Sequence, residues 1–170
     1  RDKNSDHEVI AMNHSFHGRT MGALALTGNS HYQEPFGPMI SGIKFAEFNN
    51  LDSVKALINE KHVPLLLNLC RVKVEFIRQL RNLWKESERF VMTMTLIMIC
   101  DEIQCGMGRT GTIMTYFQYD ILPDILCLAK GIGAGFPMGA FVANKKVCCS
   151  DGTWRSWFYL WWKSNGWSSM

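Results

Sequence analysis

The sequence predicts an α/β fold built on a parallel sheet, and three observations carry that expectation. Short, continuous apolar runs at 95–100, 125–129 and 140–143 alternate with stretches of helical periodicity, the pattern of buried parallel strands. Asp101 and Lys130 follow directly on two of those runs, at the carboxyl ends where open α/β sheets hold their sites. The chain has 170 residues, 47% apolar and 19% charged, enough for a globular core. A net charge of +3 is too small to imply nucleic acid or an acidic membrane surface. No apolar run approaches the ~20 residues of a spanning helix, so a transmembrane segment is not expected.

Element by element, residues 8–12 read as a strand, followed by the polar turn Asn13-His-Ser-Phe-His-Gly-Arg-Thr20. Four Gly and two Pro between 21 and 42 predict loop with short helical pieces. A second strand is expected at 43–48. Asn50 or Asp52 caps a helix over 53–60, with Val54, Leu57 and Ile58 on its apolar side. Residues 74–90 repeat apolar side chains at helical spacing, Phe76/Ile77, Leu80 and Leu83/Trp84, and predict another helix. Its charges, from Lys73 to Arg89, then form a solvated face.

The six cysteines, Cys70, Cys100, Cys105, Cys127, Cys148 and Cys149, lack paired zinc spacing and read as reduced structural thiols of a cytoplasmic protein. The start, Arg1-Asp-Lys-Asn, has neither Met nor a signal core and is expected to be cut from a longer chain. Five of the six tryptophans fall in the last seventeen positions, so the composition averages unlike pieces.

Several residues can carry chemistry. Gly106-Met-Gly-Arg-Thr-Gly111 matches the dinucleotide pattern G-x-G-x-x-G, but 101–105 separate it from the preceding strand, so nucleotide binding is a minor alternative. His14 and His17 lack a third ligand at metal spacing and read as ordinary turn histidines, so no metal is expected. Taken singly, Asp101 reads as a strand cap and Lys130 as the basic residue of a Gly-rich turn. Together they suit pyridoxal phosphate, which needs a lysine amine for its Schiff base and an acid beside its ring nitrogen. Once released, the same lysine is placed to move a proton at the substrate carbon.

Three stretches then resemble the class III (fold type I) aminotransferases, with acetylornithine-type members nearest. They are Asn13-His-Ser-Phe-His-Gly-Arg-Thr-Met-Gly-Ala-Leu24, Ile99-Cys-Asp-Glu-Ile-Gln-Cys-Gly-Met-Gly-Arg-Thr-Gly111 and Pro123-Asp-Ile-Leu-Cys-Leu-Ala-Lys-Gly-Ile-Gly-Ala-Gly-Phe-Pro-Met-Gly139, in the family's order. The resemblance implies part of the large pyridoxal-phosphate domain, a mostly parallel sheet flanked by helices. It implies Lys130 as the Schiff-base lysine, Asp101 as partner of the pyridine nitrogen and Gln104 beside the phenolic oxygen. Phe16 would stack on the pyridine ring and Arg19 grip the substrate α-carboxylate, a task suited to guanidinium. The implied reaction moves an amino group from N-acetylornithine to 2-oxoglutarate, in arginine biosynthesis. Ornithine, 4-aminobutyrate and succinylornithine aminotransferases share these motifs. The full-length family is expected to be homodimeric, with amino-acid and 2-oxo-acid substrates as its other partners.

Two segments depart from the family. Residues 66–94 keep none of its motifs, yet codons for them can be chosen that read EPVQGESG and onward, like the missing family segment, when shifted by two bases. The tail from 151, shifted by one base, reads MEPGDHGSTFGGNPM, whose glycine codons become the tryptophans seen here. The expected organisation is therefore 1–146 as the central part of the cofactor domain, with 66–94 aberrant and 147–170 an out-of-frame tail. A catalytically dead fragment or pseudogene product stays open beside the active enzyme.

Overall fold

The apolar runs become the middle of a six-stranded sheet. The computed structural model describes residues 8–58, 64–68, 70–71, 77–78 and 96–148. In chain order they form β1 (Val9–Met12), α1 (Met21–Leu26), α2 (Ser30–Gln33), β2 (Ile43–Ala46), α3 (Leu51–Leu57), β3 (Pro64–Asn68), β4 (Cys70–Arg71), β5 (Ile77–Arg78), β6 (Ile97–Asp101), β7 (Ile125–Ala129), β8 (Gly139–Ala143) and α4 (Lys145–Cys148). The sheet order is β2-β1-β3-β6-β7-β8. All pairs are parallel except β7 with β8, where Ala129 faces Gly139 and the chain turns straight back as an antiparallel edge.

The expected α/β class holds, and each difference in its elements has a local cause. Helix α3 begins at Leu51 because the Asn50 side chain accepts the Ser53 N–H at 3.0 Å, while Ser53 Oγ accepts the Glu47 N–H at 3.0 Å. Leu51 and Val54 then face the core, and the helix ends at Leu57 rather than 60. The expected helix over 74–90 is contradicted at 77–78, which are extended and pair antiparallel with Cys70–Arg71. Its other residues lie outside those described, apart from this pair, as does the tail from 149 onward. Strand β3 overlaps the start of the 66–94 segment that was expected to be aberrant and lies between β1 and β6.

The registers bring the carboxyl ends of β3, β6 and β7 level, since Asn68 pairs with Asp101 and Asp101 with Cys127. Beneath that edge sits one apolar cluster, with Ile10, Met98, Cys100 and Leu128 among its buried members. Buried Asp124 ties the antiparallel edge to it, accepting the Met98 N–H at 2.8 Å and the Asn144 Nδ2–H at 2.7 Å. The loop after β1 returns to the same edge. Gly28 permits this, because a Cβ there would meet the Met12 carbonyl oxygen at 2.5 Å. Among the described residues no helix is long and apolar enough to cross a membrane.

Candidate active site

Strand β6 delivers Asp101 and Glu102 into the interior, where both are buried. An ion in such a place needs partners. Asp101 Oδ1 accepts the Ile103 N–H at 3.1 Å, and Oδ2 lies 2.7 Å from His17 Nδ1. His17 and Asp101 are 4% and 8% exposed at their side chains, so this pair is shielded from water. His17 is therefore not the ordinary turn histidine that its spacing from His14 suggested. No metal-binding group of three His, Cys, Asp or Glu occurs among the described residues.

Glu102 faces the other way and fastens the loop that follows. Its Oε2 accepts the Thr115 N–H and its Oε1 the Tyr116 N–H, both at 2.7 Å. Burial is the largest influence on this carboxyl and raises its pKa above the ordinary 4.5, against the lowering by the Thr115 and Tyr116 N–H bonds, with Asp101 raising it further. Gly106 packs on it, and a Cβ there would lie 2.9 Å from both a carboxylate and a carbonyl oxygen of Glu102. The strand-to-helix turn of a dinucleotide fingerprint does not form: 103–110 are turns, 111–114 bends, and the next helical residues, Thr115–Tyr119, make a 3₁₀ turn.

The loop that Glu102 fastens walls a cavity of about 370 Å³, within the range of small-molecule sites. Gln104 and Arg109 line it from this side, Lys130 and Gly131 from the end of β7. Lys130 is exposed there with φ +51°, a left-handed conformation that costs a residue with a Cβ about 1–2 kcal/mol. That conformation breaks the strand alternation. By strand geometry Lys130 Cα lies about 10 Å along the sheet from the Asp101–Cys127 pair.

Phe16 and Arg19 lie on a different loop, the one after β1, and share Tyr32 as a partner. Tyr32, from α2, contacts the Phe16 ring edge-on at 5.8 Å between centroids, and the Arg19 guanidinium lies 5.8 Å over the Tyr32 ring. The structure thus joins Gln104 with Lys130 in one cavity, Asp101 with His17, and Phe16 with Arg19 around Tyr32. Asp101, Phe16 and Arg19 are not in the cavity wall. Tyr32 and His17 escaped the sequence reading; an aromatic 16 residues beyond Phe16 gives no periodic signal.

Cys100 and Cys105 are buried, and the half-buried Cys127 is in no disulfide. Burial, with the Asp101 charge second, pushes the Cys127 thiol up to about 11 from 9.0. The neutral thiol is then favoured, leaving roughly 100-fold less thiolate at pH 7–8 than an ordinary cysteine. Residue-resolved iodoacetamide labelling of the folded chain should find Cys127 slower than a free cysteine by about that factor, and equal rates would show the thiol to be unshielded.

The class-III aminotransferase family model ("Aminotransferase class-III") matches residues 1–69 and 68–151. The chain belongs to the class-III aminotransferases. Among curated class-III relatives, acetylornithine aminotransferase of Clostridium acetobutylicum is 41% identical over 150 residues, covering 84% of this chain and 37% of that protein. Acetylornithine aminotransferase 2 of Bordetella pertussis is 38% identical over 147 residues, with 86% and 37% covered. The chain thus spans a little over a third of these relatives' length. The solved N-acetylornithine aminotransferase of Stenotrophomonas maltophilia matches with TM-score 0.67 at 26% identity, over 85% of this chain and 34% of that one. An amine transaminase from an uncultivated Pseudomonas species, solved in its PLP-bound form, superimposes with TM-score 0.78 over 90% of this chain and 41% of its own. At 22% identity that second likeness speaks to the fold.

Proposed function

We propose that the protein carrying this class-III segment transfers the amino group of N-acetylornithine to 2-oxoglutarate with pyridoxal phosphate, in arginine biosynthesis in the cytoplasm, as a homodimer. The observation that carries the reading is the placement of Lys130 and Gln104 in one cavity, at the sheet edge where a held carboxylate, Asp101, ends the next strand. The acetylornithine aminotransferases at 38–41% identity support the donor.

The donor set suits the cofactor. A primary amine, a carboxylate whose two oxygens are already oriented, and a cationic cavity containing Arg109 match its aldehyde, ring nitrogen and anionic character. When bound, pyridoxal phosphate supplies an electron-withdrawing ring that takes up the charge left when the donor's carbon loses its proton. The Lys130 Nζ anchors the cofactor and then takes and returns that proton. Of the residues that would hold it, Asp101 would pair with the ring nitrogen, Gln104 would serve the phenolic oxygen and Phe16 would pack on the ring face. Arg19 holds the substrate α-carboxylate through two parallel N–H bonds, and Tyr32 steadies both Phe16 and Arg19.

A second reading is favoured by one observation, the recoverable family text in the shifted frames of 66–94 and 151–165: a catalytically silent chain with the family's fold. Under either reading the domain assignment stands as proposed, 1–146 as the central part of the cofactor domain. Incubation with pyridoxal 5′-phosphate, borohydride reduction and peptide mapping separates the two. The active reading expects one stable label, on Lys130, and amino transfer from N-acetylornithine. No label, or labels scattered over surface lysines, sides with the silent chain.

A further inference from the structure

We infer that Gln33 is a positioning residue for the substrate's carboxylate, acting through Tyr32 and Arg19; the inference rests on the role proposed above for Arg19. The Arg19 side chain is exposed, and its guanidinium lies over the Tyr32 ring, 5.8 Å from the centroid. A ring face orients a guanidinium without placing an acceptor in its fork. A carboxylate from the protein would also hold Arg19, but it would compete with the substrate for the same donors. Tyr32 leaves those planar N–H groups open to a partner with two oxygens.

Tyr32 does not place itself. It belongs to α2, a helix of four residues, too short to hold its own shape. The next residue supplies the anchor. Gln33 Nε2 donates to the carbonyls of Leu24 at 3.1 Å, Ala25 at 3.2 Å and Thr27 at 2.9 Å. Its two N–H groups are thus shared among three carbonyls at the C-terminal end of α1, where a helix leaves carbonyls unmatched. The other end of α1 follows directly on Arg19 and Thr20, and the Leu24 N–H donates to the Thr20 carbonyl at 2.7 Å. One short helix therefore has Arg19 at its start and Gln33 fastened to its finish, which fixes the spacing between guanidinium and ring.

Phe16 is tied to the same unit. The fully buried Thr27 Oγ1 accepts the His17 N–H at 3.0 Å and donates to the Ala23 carbonyl at 3.0 Å. Gly18 bends the chain between Phe16 and Arg19 with φ +135°, and a Cβ there would lie 3.0 Å from the Ala23 Cβ. Tyr32 closes the unit by meeting Phe16 edge-on. Freeing the Gln33 amide releases Tyr32, and Arg19 then loses the surface that aims it.

The test compares Gln33→Met, which keeps the side-chain length and removes the N–H donors, with Gln33→Lys, whose ammonium can donate to the same carbonyls. In the unloaded native chain, the ring face should shift the Arg19 side-chain proton resonances upfield of free arginine. Gln33→Met should lose most of that shift, and Gln33→Lys should regain it. In the chain loaded with pyridoxal 5′-phosphate, Gln33→Met should raise KM for N-acetylornithine about 2- to 30-fold, the range for one cation–π contact. Its kcat should stay within about twofold of native, because binding is what weakens. Arg19 resonances at free-arginine positions in the native chain, a native shift or KM in Gln33→Met, equal loss in both variants, or a loss confined to kcat overturns the inference. If Gln33→Met does not fold, Tyr32→Leu takes its place: a raised KM supports the inference and a native KM overturns it. A native chain that transfers nothing from N-acetylornithine instead sinks the functional reading; the two failures are distinguishable because the Arg19 shift is read before loading.

Discussion

Replacing Asp101 by alanine is expected to slow amino transfer by the loaded protein about 10²- to 10⁴-fold. The figure follows from leaving two partners of a buried carboxylate without it, at about 1–3 kcal/mol each, with 1.36 kcal/mol per tenfold in rate. The Ile103 N–H and the His17 ring both lose their partner and, in the proposed function, the cofactor's ring nitrogen would lose its counter-charge. Asp101→Asn keeps an acceptor oxygen and the side-chain shape, so it isolates the charge: retention of the fold with loss of rate is expected. Single-turnover reaction with N-acetylornithine, beside far-ultraviolet circular dichroism, measures both. A rate within tenfold of native in Asp101→Ala would remove this residue from the site.

Replacing Glu102 by alanine is expected to cost about 3–5 kcal/mol of stability, a large share of a domain's ~5–15 kcal/mol. The buried N–H of Thr115 and the half-buried N–H of Tyr116 would lose these carboxylate acceptors, at about 1–3 kcal/mol each. Glu102→Gln should cost about half as much, since its oxygen serves one N–H while its NH₂ opposes the other. Because burial raises this carboxyl, the folded chain binds its proton more tightly than the unfolded chain does. The proton-linked part of Glu102's contribution is therefore fully present below the ordinary 4.5 and is lost as pH rises through the raised value, while the hydrogen bonds it accepts remain. Urea unfolding of native and Glu102→Gln chains across that window should show the slope flattened in the variant. An unchanged midpoint in Glu102→Ala would mean that the 103–114 loop is held by something else.

Much of this was legible along the chain. Runs of Ile, Leu, Met and Cys long enough for a strand and too short for a helix gave β6 and β7, and a strand's end is where polar residues can leave the core. Asp101 and Lys130 were found for that reason. The antiparallel turn into β8 was not, because apolar alternation does not record strand direction. The helical spacing over 74–90 misled at 77–78, where pairing with 70–71 outweighs a local preference that is worth only tenths of a kcal/mol per residue. Tyr32 and His17 were missed because their partners come from the folding of a loop.

The sequence by itself determined the fold class, the family and the residue types at each strand end, since these depend on short-range pattern and on motifs read within a few positions. Only the tertiary structure decided that His17 meets Asp101, that Glu102 ties down the cavity wall and that Gln104 faces the space Lys130 lines. Each of those contacts is set by the parallel register of β3, β6 and β7, which brings distant strand ends level. Register is fixed by burial of whole strands against one another, and no single stretch of the chain contains that information.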